Sequence, residues 1–315
     1  MARPHRRTPE CQCLSRSPLR PAGGFAAILK RLIMTQRRLH VIRHFPATPA
    51  GRPPLVFLHG GYVDARCWEA HFLPCFASHG YECHAPDLAG HGRSDGVEPL
   101  DALSLDDYLA DSIGVVERLD RKPVVIGHSM GACIAERLLE LSLVEAGVLL
   151  SPVPPHGTLE SALTLFLRYP GFLSEVARMT RGVFDERSLR LLRDVYFTPA
   201  TQPETLLDLA RLVQPESLRA ICDMSLLAWR CLPAVPELPV LVVGGELDAV
   251  FPPHMASRVA KRWQAELEIV PAAGHAMILD RHWQTCADHI LDWLDRLEQA
   301  RPKRPSASIV PAGSA

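Results

Sequence analysis

The sequence has no long apolar run and almost no excess of charge of either sign. No stretch approaches the roughly 20 apolar residues that span a bilayer, so no transmembrane segment is predicted. The 34 basic and 35 acidic side chains give a formal net charge of −1, which argues against a dedicated nucleic-acid-binding protein. With 47% hydrophobic and 22% charged residues, the composition is typical of a soluble globular protein.

The signatures of common cofactor sites are also missing. The sequence contains neither Gly-x-Gly-x-x-Gly after a strand nor Gly-x-x-x-x-Gly-Lys-Ser/Thr, so no nucleotide is implied. The nine cysteines form no Cys-x-x-Cys pair and no regular framework, which favours free thiols in a reducing, cytoplasmic setting. Cys11 and Cys13 have no His or Cys partner at zinc-site spacing. We therefore predict neither a cofactor nor a metal.

Both ends of the chain differ in composition from its middle. Residues 1–33 are rich in Arg and Pro and contain one acid, Glu10. They could be a disordered tail, an organelle transit peptide, or the product of an upstream start codon with Met34 as the true beginning; the first and third interpretations are favoured. We assign residues 1–36 to this extension and residues 299–315, whose composition is rich in Pro and small residues, to a flexible tail.

Between the ends, short apolar or β-branched runs alternate with stretches of helical spacing. The predicted strands are residues 39–44, 55–59, 82–85, 124–126, 146–150, 240–243 and 267–270. The predicted helices between and after them are residues 68–79, 105–119, 130–141, 254–265 and 281–297. Runs of Val, Ile and Leu separated by helices indicate a parallel sheet covered on both faces. Ligands bind such sheets at the carboxyl ends of the strands.

Residues 153–237 interrupt this alternation. They are rich in Leu, contain no convincing strand, and show helical spacing at 189–197 and 204–212. Because they lie between two sheet strands, we interpret them as a helical cap inserted over the strand ends. The alternative is that they form two longer crossover helices. The predicted core then comprises residues 37–152 and 238–298.

A candidate nucleophile follows the predicted strand 124–126. Gly127–Gly131 reads Gly-His-Ser-Met-Gly and opens the next helix, which is the Gly-x-Ser-x-Gly pattern in its required strand–turn–helix context. Small residues flank Ser129 because the turn is too tight for larger ones, and the turn exposes its hydroxyl. The N–H of Met130, at a helix N-terminus, is left free to bind an oxyanion. We predict Ser129 as nucleophile and Met130 as one oxyanion donor.

A serine hydroxyl needs a base, and the base is usually oriented by a carboxylate. Proteins with this elbow have the chain order Ser, acid, His. Here Asp248 follows the strand 240–243 and His275 follows the strand 267–270, both at the edge that carries Ser129. We predict His275 as base and Asp248 as its partner, with Glu246 as the alternative acid.

A second oxyanion donor is expected after the strand 55–58. There the chain enters the glycine-rich turn His59–Tyr62, where a backbone N–H can approach the reacting carbonyl. Gly61 is the predicted donor, and its neighbour Tyr62 remains an alternative. His59 is interpreted as a structural ring that braces this loop.

Together with Asp87–Ser94, which reads Asp-Leu-Ala-Gly-His-Gly-Arg-Ser, these motifs resemble the α/β-hydrolase superfamily in its esterase, lipase and lysophospholipase-like branch. The resemblance covers about residues 38–297. It implies an α/β-hydrolase fold: a mostly parallel eight-stranded sheet with helices on both faces and an inserted helical cap. It also implies that the Asp87–Ser94 stretch is a structural turn. The substrate does not follow, because the same site serves esters, thioesters, amides, C–C bonds and even perhydrolysis.

The predicted function is acyl transfer to water. The predicted substrate is a small-molecule carboxylic ester whose acyl part is apolar. Tyr62 and Leu227 are the candidate substrate-binding residues. A C–C hydrolase or thioesterase with the same triad, and a non-catalytic binding protein of this fold, remain alternatives. The cap offers apolar side chains for a pocket, most of which are expected to hold the cap itself together: Leu163, Leu165, Phe166, Leu167, Phe172, Leu226, Leu227 and Trp229.

Overall fold

A computed structural model describes residues 37–226 and 234–300. Seven strands in these ranges form one sheet: β1 (Val41–His44), β2 (Leu55–Leu58), β3 (Cys83–Pro86), β4 (Val124–His128), β5 (Ala146–Leu150), β6 (Val240–Gly245) and β7 (Glu266–Val270). Their spatial order is β1-β3-β2-β4-β5-β6-β7. The edge strand β1 is antiparallel to β3, and the other neighbours are parallel. The expectation of a mostly parallel sheet is confirmed.

The described residues form seven strands, one fewer than the eight that the resemblance implied. Residues 45–54, between β1 and β2, contain four prolines. Proline has no backbone N–H to donate to a strand ladder, so this stretch crosses to β2 as a loop.

Helices follow most of the strands, close to the predicted positions. They are α1 (Arg66–Glu69), α2 (Phe72–Ser78), α3 (Leu105–Val116), α4 (Met130–Glu140), α5 (Leu159–Arg168), α6 (Phe172–Met179), α7 (Glu186–Tyr196), α8 (Pro203–Leu212), α9 (Leu218–Ser225), α10 (Pro253–Trp263) and α11 (Trp283–Ala300). The single helix predicted over residues 68–79 is instead two, α1 and α2. The break at His71 puts Pro74 in the first turn of α2, where its missing N–H leaves no helical bond unmade.

Both faces of the sheet are covered, as predicted. Alternate side chains of each strand point to opposite faces, so Val56 and Leu58 join one apolar cluster while Leu55 and Phe57 join another. The first cluster contains buried residues of α3, α4 and α10, and the second contains residues of α1, α2 and α11. The strand ends that carry the site are thus held from both sides.

Residues 151–239, called the insertion below, connect β5 to β6. Their described part contains α5 to α9 and no strand. Two backbone hydrogen bonds attach the insertion to loops at the strand ends: the N–H of Ala276 donates to Tyr196 at 2.7 Å, and the N–H of Gln214 donates to Tyr62 at 2.9 Å. No helix of the described chain is long and apolar enough to cross a membrane.

Candidate active site

Ser129 lies between the end of β4 and the start of α4, in a backbone conformation that few non-glycine residues adopt. Its φ is 53° and its ψ is −115°. Such values persist only where the surrounding structure enforces them, and they occur often at functional sites. The side chain is half-buried and faces a cavity, so its hydroxyl is accessible from that cavity.

The glycines on either side of Ser129 are required by close backbone contacts. A Cβ at Gly127 would lie 2.4 Å from the carbonyl oxygen of Gly131, and a Cβ at Gly131 would lie 2.2 Å from that of Leu58. Both distances are far below van der Waals contact, and the blocking atoms are backbone. The glycines thus allow β2, β4 and α4 to approach closely enough to form the turn.

The structure brings His275 and Asp248 together with Ser129. The His275 Nε2 lies 3.1 Å from Ser129 Oγ, and its Nδ1 lies 2.9 Å from Asp248 Oδ2. With a proton on Nδ1 donated to Asp248, Nε2 can accept the serine proton. The backbone N–H groups of Val250 and Phe251 donate to the other oxygen, Asp248 Oδ1, both at 2.8 Å. This arrangement fixes the acid, the ring orientation and the tautomer together.

Glu246, the alternative acid, lies elsewhere. Its side chain is exposed, and its Oε2 accepts the backbone N–H of Ala272 at 2.8 Å. The carboxylate that reaches His275 is therefore that of Asp248, and Glu246 stabilises the turn after β7.

The two predicted oxyanion donors flank Ser129. Met130 is the first residue of α4, so its N–H has no carbonyl four residues earlier to bind. The loop after β2 approaches from the other side, since a Cβ at Gly60 would lie 3.2 Å from Ser129 Cβ. Gly61 and Tyr62 both line the cavity beside Ser129. The N–H of Tyr62 donates to Glu216 at 3.3 Å, which leaves the N–H of Gly61 as the better candidate.

Two further histidines surround the site as neutral rings. His59 Nε2 accepts the N–H of Leu88 at 3.0 Å and its Nδ1 faces the Gly60 carbonyl at 2.8 Å; burial lowers its pKa to about 4. His128 Nε2 faces the carbonyl of His275 at 2.9 Å. Burial and the neighbouring His275 lower the pKa of His128 to about 3. Both rings therefore act as hydrogen-bonding braces for the loops that carry the site.

An apolar cavity of about 230 Å³ opens beside Ser129 and His275. Side chains of α5 to α8 supply much of its wall: Leu165, Phe172, Val176, Met179, Leu192 and Leu209. The hydroxyl-bearing side chains of Tyr62 and Tyr196 also line it. Burial raises the pKa of Tyr62 to about 12, so this phenol is neutral at ordinary pH.

The structure describes one of the two candidate substrate-binding residues. Tyr62 lines the cavity, whereas Leu227, like Trp229, lies outside the described residues. Of the apolar side chains offered by the cap, Leu165 and Phe172 line the cavity. Leu163, Phe166, Leu167 and Leu226 are instead half or more exposed, at 60%, 55%, 70% and 50%. Hydrophobicity alone does not distinguish the side chains that face the cavity from those that face solvent.

Sequence reasoning missed Glu216 and Tyr196. Glu216 is one of several acids in the insertion, and no sequence spacing links it to the glycine-rich loop that it contacts. Tyr196 ends α7, and its ring centroid lies 6.0 Å from that of His275. Neither position carries a motif, because both contacts depend on how the insertion folds back over the strand ends.

The comparisons with known proteins agree with this fold. The model of the alpha/beta hydrolase family matches residues 55–289. One relative is the Mycobacterium tuberculosis protein BpoC, which is named provisionally as a non-heme bromoperoxidase. Its sequence is 29% identical to this one over 242 residues, an alignment that covers 72% of this chain and 88% of the relative. Its crystal structure superposes with a TM-score of 0.65 at 23% identity, covering 82% of this chain and 96% of that one. A thermophilic esterase from Thermogutta terrifontis gives a TM-score of 0.60 at 20% identity, covering 83% and 94%.

Proposed function

This chain belongs to the alpha/beta hydrolase family, and we propose that it is a serine hydrolase that cleaves a carboxylic ester with an apolar acyl part. The observation that carries the proposal is the 3.1 Å contact between Ser129 Oγ and His275 Nε2 at the wall of an apolar cavity. A buried base poised on an accessible hydroxyl is the requirement for nucleophilic catalysis by serine.

The reaction proceeds in two halves. Ser129 Oγ attacks the ester carbonyl carbon while His275 Nε2 takes its proton, and the N–H groups of Gly61 and Met130 hold the resulting oxyanion. His275 then gives the proton to the leaving alcohol, and an acyl-enzyme forms on Ser129. A water that loses its proton to His275 releases the acid and restores the serine. Asp248 keeps the imidazole in the required tautomer throughout.

The insertion acts as the acyl-selecting cap of this site. We assign residues 153–237 to the cap and residues 37–152 and 238–298 to the core, because the cavity wall combines strand-end loops with α5 to α8. The cavity volume of about 230 Å³ is smaller than the roughly 300–1,000 Å³ of pockets for drug-sized ligands. It suits a short to medium acyl chain.

A series of p-nitrophenyl esters from acetyl to dodecanoyl tests the proposal, with Ser129→Ala as the negative control. Each buried CH₂ is worth about 0.8 kcal/mol, so kcat/KM should rise up to roughly fourfold per methylene until the cavity is full. Matching thioesters and a C–C substrate measured beside the esters separate the alternatives that use the same triad. A flat ester profile with fast turnover of either of these would contradict the ester assignment.

The name of the relative BpoC suggests a second candidate, perhydrolysis. If hydrogen peroxide replaces water in the second half-reaction, the acyl-enzyme yields a peroxy acid, which can oxidise bromide. The test is bromide oxidation with and without an added carboxylic acid or ester. Bromide oxidation that depends on the added acid or ester and disappears in Ser129→Ala would favour perhydrolysis. If no bromide is oxidised, hydrolysis remains as the one proposed activity.

A further inference from the structure

A carboxylate from the insertion lies buried beneath the predicted oxyanion loop. Glu216, between α8 and α9, has a fully buried side chain. Its Oε1 accepts the hydroxyl of Tyr108 at 2.8 Å and the N–H of Ser217 at 2.7 Å. Its Oε2 accepts the N–H of Tyr62 at 3.3 Å and lies 3.1 Å from His91 Nε2. Three hydrogen-bond donors, together with the His91 ring at ion-pair distance, therefore converge on one side chain.

The pattern of donors favours an ionised carboxylate, because both oxygens of Glu216 act as acceptors. Each oxygen of Glu216 accepts a backbone N–H, so an amide in its place would direct its own N–H groups at one of these donors. His91 supplies the compensating charge, since its Nδ1 faces the Ala89 carbonyl at 3.0 Å and its Nε2 faces Glu216. Although burial opposes both charges, the pairing raises the pKa of His91 and lowers that of Glu216.

We propose, on the basis of the proposed function, that Glu216 is a positioning residue that holds the oxyanion loop for catalysis. Tyr62 has a φ of 66°, a left-handed conformation rare for a residue of its size. The carboxylate fixes that conformation by binding the Tyr62 N–H. The preceding N–H, that of Gly61, is thereby left for the oxyanion. The insertion thus supplies part of the geometry of the core's chemistry.

The His91 imidazolium completes this arrangement electrostatically. An unpaired carboxylate beneath the oxyanion site would repel the negative charge that develops in the transition state, and His91 cancels it. The other titratable groups that face the pair are Tyr62, Tyr108, His59 and Asp64. The two phenols have raised pKa values and His59 a lowered one, so these three are neutral near pH 7. Asp64 is itself paired with Arg66 at 2.8 Å.

Deprotonation of His91 should therefore reduce activity. Its raised pKa keeps the ring charged into a higher pH range than an ordinary histidine, and kcat/KM should fall as pH rises through that value. In the wild-type chain, the ¹⁵N shifts of the His91 ring and the alkaline limb of kcat/KM should report the same pKa. An alkaline limb that does not coincide with the His91 titration would overturn the electrostatic part of the proposal.

Three variants separate the effect of the Glu216 charge, the effect of its side-chain length and the effect of altering any buried acid of the insertion. Glu216→Gln keeps the size and removes the charge, Glu216→Asp keeps the charge and shortens the reach to Tyr62, and Glu175→Gln is the control. Glu175 is a second buried acid of the insertion, paired with Arg178 and Arg187, and it does not touch the loop after β2.

Loss of the Tyr62 contact should lower kcat about ten- to a hundredfold, less than the removal of a whole oxyanion donor, while KM stays within about threefold. Affinity for a trifluoromethyl ketone, which adds to serine as an oxyanion, should fall in parallel in both Glu216 variants. Glu216→Gln should also lose the alkaline limb, whereas Glu216→Asp should retain it. Glu175→Gln should leave kcat and the pH profile unchanged.

The outcomes distinguish this proposal from the function on which it rests. Folded Glu216 variants with wild-type kcat and ketone affinity would overturn the role proposed for Glu216 and leave the proposed function intact. A wild-type chain that is inert toward both esters and a fluorophosphonate would overturn the proposed function, and the role of Glu216 with it.

Discussion

The sheet core and the insertion are built differently. In the core, two large clusters of buried side chains enclose the strands, and backbone-to-backbone contacts at Gly127 and Gly131 fix the turn at Ser129. The insertion has one small cluster around Met179, Leu192 and Phe197. It also leaves Leu167 and Leu173 70% exposed. The described part of the insertion therefore has fewer buried apolar side chains for its length than the core.

This difference in packing matches a difference in the proposed roles of the two regions. The groups proposed to react lie on loops anchored in the well-packed core, whereas most of the apolar cavity wall comes from the insertion. The two meet through many hydrogen bonds and ion pairs, among them those of Glu216 beneath the oxyanion loop. Changes in the core should therefore alter kcat or folding. Changes in the insertion, apart from those at Glu216, should alter which substrate is preferred.

The largest effect is expected at the acid of the core. In Asp248→Asn the amide oxygen would retain the N–H groups of Val250 and Phe251, and the amide NH₂ would face His275 Nδ1. The ring would then carry its proton on Nε2 and could not accept one from Ser129, so kcat should fall by roughly 10⁴-fold.

The matched control for this change is Glu246→Gln, measured with the same p-nitrophenyl ester. It should retain kcat within a few-fold, because Glu246 binds the turn at Ala272 and not His275. If the two effects were reversed, the acid would be Glu246.

The packing of the core can be tested at Gly131. A Cβ there would meet the carbonyl oxygens of Leu58 and His59 at 2.2 and 2.6 Å, which cannot move without distorting β2. Gly131→Ala should cost about 3 kcal/mol or more of unfolding free energy. Gly114→Ala, in α3 with nothing within 4 Å, should instead stabilise by up to about 1 kcal/mol. Urea unfolding of both variants measures the difference, and equal effects would show that the turn tolerates a side chain.

The insertion can be tested with two leucines of α5. Leu165 lines the cavity, while Leu163 on the same helix is 60% exposed. Leu165→Trp should move the preferred acyl chain to shorter lengths, with kcat/KM for long esters falling about fourfold per methylene excluded. Acetyl ester turnover should stay near wild type in both variants. A shift of the same size in Leu163→Trp would contradict the assignment of the inner face.

The smallest effect on activity is expected at a half-buried acid of the core that has no place in the reaction. Glu136 of α4 accepts the indole N–H of Trp263 at 2.6 Å, and burial raises its pKa to about 7. The folded state therefore binds a proton on the Glu136 carboxyl more tightly than the unfolded chain does. The stability that this proton contributes is present below pH 4.5 and is lost as pH rises through 7. The slope should not exceed about 1.4 kcal/mol per pH unit.

Glu136→Gln should remove this slope without changing kcat. The measurement is the free energy of unfolding of both proteins between pH 4 and 8. Parallel curves for wild type and variant would show that Glu136 does not titrate in this range.

Much of this architecture could be predicted because the sequence states it locally. The Gly-x-Ser-x-Gly turn, the strand-end acid and the Gly-His turn each carry their own pattern, and parallel strands bring their ends to one edge. The split of the helix predicted over residues 68–79 was also readable in principle, since Pro74 cannot lie in a helix interior. The motifs of the core therefore led to Ser129, Asp248 and His275.

The insertion was less predictable for a physical reason. Its helices are short, and their apolar residues lie on both faces, as Leu163 and Leu165 illustrate. Which face turns inward depends on tertiary packing and not on local spacing. Glu216 is the extreme case, because its partners Tyr62, His91 and Tyr108 come from three distant parts of the chain.

The most direct test of the account is to trap the acyl-enzyme. Turnover of p-nitrophenyl octanoate would be quenched with acid within the first seconds, and the chain mapped by peptide mass spectrometry. The account predicts an octanoyl group on Ser129, an initial burst of p-nitrophenol, and the loss of both in Ser129→Ala. Turnover that persists in that variant, or an octanoyl group on a different side chain during productive turnover, would contradict it.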